Sequence, residues 1–77
     1  MNIRGLQTKL NELGIPQRDY SINGDVAPDT YVLNKVYTNW ECFYVDERGG
    51  QNILKEFDTE NEACVFFYNL LKNEMKL

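Results

Sequence analysis

The sequence has no histidine, only two cysteines and two prolines among its 77 residues, and no apolar run of signal-peptide or membrane-spanning length. Each absence excludes a class of function. Without histidine, proton transfer near neutral pH would fall to a carboxylate, lysine, tyrosine or cysteine. Two cysteines without histidine make no tetrahedral zinc site, so the metal that staples many small domains is not expected, and no glycine-rich phosphate loop is present. The missing leader predicts a cytoplasmic, reducing setting, in which Cys42 and Cys64 are free, buried thiols rather than a bridge. No cofactor, metal or catalytic residue is expected.

What is present is enough to fold. The chain is 43% hydrophobic and 13% aromatic with a formal net charge of -4. One domain over 1–77, ordered from about Asn2 to Met75, is expected from a length too short for two cores. Ile3, Leu6, Leu10 and Leu13 recur at helical spacing, Gly14 ends that helix and Pro16 blocks its continuation. Residues 15–30 read as a connection, with a fourth short strand at Tyr20–Ile22 before the Asn23–Gly24 turn as an open alternative. Three strands come next, at Tyr31–Tyr37, Trp40–Asp46 and Gln51–Phe57, with turns at Thr38–Asn39 and Glu47–Gly50. Thr59 and Glu62 have capping-box spacing and start a helix with Ala63, Phe67, Leu70 and Leu71 on its inner face and Lys72 and Lys76 near its end. The predicted class is α+β: helix, three-stranded antiparallel meander, helix, with both helices on one sheet face.

If Tyr37 opposes Trp40, one face collects Tyr31, Leu33, Lys35, Tyr37, Trp40, Cys42, Tyr44, Ile53, Lys55 and Phe57. The other collects Val32, Asn34, Val36, Glu41, Phe43, Val45, Leu54 and Glu56. Desolvation decides between them. A lysine can run its stem over a core edge and keep its ammonium wet, whereas Asn34, Glu41 and Glu56 are harder to bury. The Trp40 face therefore goes under the helices, and Phe43, Leu54 and Val36 are expected exposed beside Glu41 and Glu56, as a docking surface or as the ordinary wet side of a sheet.

The helix, three-strand, helix order is also that of double-stranded RNA-binding domains. Here the last helix starts Asp58-Thr59-Glu60-Asn61-Glu62, where phosphates would need lysines, so nucleic acid is not an expected partner. Glu41 and Glu56 are the one pair that reads as facing carboxylates; the plain reading is two solvated glutamates without a cleft. Asp46-Glu47-Arg48-Gly49-Gly50 is a solvated hairpin loop, although Arg48 could hold a partner's carboxylate bidentately.

The stretch Trp40-Glu41-Cys42-Phe43-Tyr44-Val45-Asp46-Glu47-Arg48-Gly49, continued by Phe57-Asp58-Thr59-Glu60, Glu62-Ala63-Cys64 and Phe67-Tyr68, resembles small immunity proteins of bacterial polymorphic-toxin systems. The resemblance covers about half the chain. It implies a cytoplasmic, non-catalytic inhibitor that binds and blocks a toxin domain, one made by the same cell, and an acidic surface would be steered toward a basic partner. Glu41, Phe43, Leu54, Glu56 and Arg48 are the candidate contact residues, assigned from the open face and the loop rather than carried over from the family. The alternative is a housekeeping or phage-borne interaction domain with no toxin partner, as a monomer or weak homodimer.

Overall fold

The computed structural model describes residues 1–75; Lys76, expected near the end of the last helix, lies outside them. Helix α1 (Ile3–Glu12) begins on Asn2, whose side chain accepts the Gly5 N–H at 2.8 Å. It ends where Gly14, at φ 76°, lets its own N–H reach Asn11 O and the Ile15 N–H reach Leu10 O. That pair of bonds is a Schellman cap, and Ile15 is drawn into the core by it.

Past Pro16, a 3-10 turn (Gln17–Asp19) leads into strand β1 (Tyr20–Ile22), and then β2 (Thr30–Val36), β3 (Asn39–Val45), β4 (Gln51–Phe57) and helix α2 (Glu60–Glu74) complete the chain order. The sheet order is β1-β2-β3-β4. The antiparallel meander is as expected; the fourth strand exists but runs parallel to β2, with Ser21 beside Val32. Asn23 fastens it twice, donating its N–H to Leu33 O at 2.9 Å and accepting the Lys35 N–H on its side chain at 2.7 Å. It does so at φ 54°, a left-handed conformation that asparagine tolerates well.

Two registers differ from expectation. Lys35, not Tyr37, opposes Trp40, because Val36 pairs with Asn39 and the hairpin turn is Tyr37–Thr38. The slip is two residues, so the side chains that remain in the strands keep their face, but Tyr37, expected on the helix side, leaves β2 for the turn at φ 58° and is 95% exposed. Between β3 and β4 the ladder shifts: Cys42 pairs with Lys55 but Phe43 pairs with Ile53, leaving Leu54 as a bulge. Ile53, expected on the helix side, therefore sits on the Phe43 face.

Both helices cover the Trp40 face. Leu6 and Leu10 of α1, Ala63, Cys64, Phe67 and Leu71 of α2, and Leu33, Trp40, Cys42 and Phe57 of the sheet form one buried cluster with Ile15. Leu70, expected on the inner face of α2, is only partly buried, and Cys64 takes the inner place. The helices run side by side in the same direction, since the Ile3 N–H donates to Glu60 Oε2 at 2.8 Å at one end and Lys9 Nζ lies 5.7 Å over the Tyr68 ring further along. No acidic residue occupies the first turn of α1, so Glu60 supplies from α2 the negative charge that this helix end favours.

A second buried cluster, Val32, Phe43 and Val45, lies on the other face. A parallel β1 obliges the chain to travel back along the sheet between Ile22 and Thr30, and the helices fill one side. Val32, Phe43 and Val45 are 0%, 4% and 1% exposed, so the part of this face that carries them is closed to solvent where an open face was expected.

Candidate protein-interaction face

Register sorts the charges of the sheet. Lys35 opposes Trp40 and Lys55 opposes Cys42, so both strand lysines share the helix-covered face, whereas Glu41 and Glu56 oppose each other on the far face. Lys55 shows how the first arrangement is tolerated. Its ammonium lies 5.5 Å over Phe57 and 5.8 Å over Phe66, with the stem along the rim of the core. Lys9 and Lys72 lie over Tyr68 on the same side of the molecule, at 5.7 and 6.0 Å.

On the far face, outside that cluster, lie Glu41 and Glu56 with Val36 and Ile53, which are 38% and 54% exposed, and Leu54, 45% exposed, stands on the bulge next to Ile53. Asn34, cross-strand neighbour of Glu41, has a buried Oδ1 with no hydrogen-bond donor among the described residues. Glu41 is acceptor-only when ionised and cannot supply one. This area is therefore rich in acceptors and apolar carbon, and its strands bring it no cation.

The candidate contact residues separate in the structure. Glu41 and Glu56 are brought together and Leu54 is exposed on the bulge beside them. Phe43 is corrected: at 4% exposure it is a packing residue of the second cluster, with Val32 and Val45, and not an exposed contact residue. Ile53 takes its place at the surface, a residue that the sequence pattern missed because the bulge depends on strand pairing rather than on local spacing. Arg48 lies in the β3–β4 loop, beyond the ends of the strands. That loop is organised by Asp46, whose Oδ1 accepts the N–H groups of Arg48 and Gly50 at 2.9 and 2.8 Å. Those two bonds, Gly50's first, hold the Asp46 carboxyl below its ordinary value.

The thiols do not join any surface. Cys42 and Cys64 are both free and fully buried in the main core. Burial pushes the Cys42 thiol up to about 12, and burial together with the charge of Glu60 pushes Cys64 up to about 11. Thiols of this kind are poor nucleophiles. Among the described residues no group of three histidine, cysteine or acidic side chains is placed to hold a metal, and no helix is long and apolar enough to cross a membrane.

A groove of about 290 Å³ lies on the other side of the sheet, between α1 and β1, lined by Gln7, Asn11, Gln17, Tyr20 and Ile22. Neither Glu41 nor Glu56 lines it. No family model, curated protein or solved structure matches the chain.

Proposed function

We propose that this protein is a non-catalytic protein-binding module, a cytoplasmic immunity protein that binds a basic toxin domain and blocks it. One observation carries the reading: both acidic side chains of the sheet and two exposed apolar residues, Val36 and Ile53, share a face from which both strand lysines are excluded, with Leu54 exposed on the bulge beside them. A mixed apolar and acidic patch can exclude water over its carbon while its carboxylates steer and orient a cationic partner. The resemblance of the Trp40–Gly49 hairpin and the Thr59 helix start to immunity proteins supports the same assignment. Face-to-face self-association is the weaker reading, because a two-fold axis would bring four carboxylates together without a cation.

Coexpression with the product of an adjacent toxin gene tests the proposal. The wild-type chain restores growth and co-purifies with the toxin; the double variant Glu41→Lys, Glu56→Lys, folded as judged by circular dichroism, does neither. Rescue undiminished by the charge reversal would rule out the sheet face as the binding surface.

A further inference from the structure

We propose that the outer edge of β1, together with the groove beside it, receives an extended peptide segment of a partner protein, one side chain of which is a neutral hydrogen-bonding group such as an amide. This surface shares no residue with the acidic sheet face and stands independently of that reading.

The backbone supplies the first half of the site. β1 is an edge strand. The Asn23 N–H points inward to Leu33 O, so by the alternation of a strand the C=O and N–H of Ile22 turn to the outer edge. The C=O of Tyr20 faces the same way, while its N–H is taken by Gln17 O. Tyr20 C=O, Ile22 N–H and Ile22 C=O in a row are the groups that a residue of an added strand pairs with.

The side chains supply the second half. Gln7 and Asn11, one helical turn apart on α1, face Tyr20 and Ile22, alternate residues of β1, across a groove whose end is Gln17. Tyr20 is held as a wall by edge-on contact with Phe67, the ring centroids 6.4 Å apart. The lining offers amide donors and acceptors and no charge. At about 290 Å³ it lies at the small end of ligand pockets and suits one side chain of a strand rather than a free metabolite.

The two edges of the sheet are treated differently. β4 is broken by the Leu54 bulge and carries Lys55 and Glu56, devices that discourage strand addition. β1, with the sequence Tyr20-Ser21-Ile22, has no charge, proline or bulge.

Titration of the isotopically labelled protein with the peptide Ac-Val-Gln-Val-NHMe, monitored by NMR, tests this. Saturable shifts are expected at the Ile22 amide and at the side-chain amides of Gln7, Asn11 and Gln17, with slowed hydrogen exchange at Ile22. Asn11→Ala, a change at an exposed position, should weaken binding about fivefold by removing one neutral hydrogen bond, and Ac-Val-Glu-Val-NHMe should bind less tightly than the glutamine peptide. Absence of these shifts, or equal affinity for the Asn11→Ala protein, would overturn the proposal. So would shifts that grow with protein concentration alone, which would make a second copy of the chain the occupant.

Discussion

Thr59 starts α2 with two contacts to the same residue: its Oγ1 accepts the Glu62 N–H at 3.2 Å and donates to Glu62 Oε1 at 3.0 Å. Thr59→Ala should lower stability by about 1 kcal/mol in urea denaturation and leave partner binding unchanged, because the cap lies away from the acidic face. Asp46 gives a pH signature. Its folded pKa is lowered, so its contribution is present above the ordinary value of 3.8 and is lost as pH falls through the folded value. Asp46→Asn should accordingly flatten the loss of stability as pH falls below 3.8. The thiols act at the opposite end. Their folded values are raised, so their contribution is full below the ordinary 9.0 and is lost as pH rises toward about 11 and about 12. A thiol reagent at pH 8 should therefore find neither cysteine in the native protein and both in urea. The Thr59 cap and the Gly14 stop are written in four or five consecutive residues, which is why they were legible in the sequence. The burial of Phe43 was not legible, since it depends on packing with Val32 and Val45 across the sheet rather than on the alternation of its own strand.

At the scale of elements, the two helices share one anchoring device. Glu60 belongs to α2 but accepts the first N–H of α1, and the N-terminal ammonium donates to Asn61 Oδ1 beside it. Glu60→Ala should increase hydrogen exchange through the first turn of α1 while leaving the β3–β4 hairpin protected, a contrast that residue-resolved exchange would show. Uniform loosening of the sheet would contradict this local role. The meander was readable because its turns are short and its strands rich in aromatic and β-branched residues. The parallel pairing of β1 was not, because an Asn-Gly pair after a short apolar run ordinarily signals a hairpin. Here Asn23 acts instead as an extra rung, its side chain continuing the ladder to Lys35. The Leu54 bulge was invisible for a related reason: a one-residue slip moves Ile53 across the sheet without changing the composition of either strand.

For the whole molecule, the desolvation argument that put Trp40, Cys42 and Phe57 under the helices holds, and Lys55 shows the physical route by which a lysine accompanies them. The two sides of the sheet consequently differ in charge, with cations resting on aromatic rings on the helix side and Glu41 and Glu56 paired on the other. The proposed function depends on a basic partner using that difference. The most direct test is growth of cells coexpressing the product of the neighbouring gene, proposed to be the toxin, with wild-type protein, with Thr59→Ala, or with Glu41→Lys, Glu56→Lys. Rescue by the first two and failure of the third, at equal soluble expression, is the expected result; rescue by all three would contradict the proposed role of the acidic face.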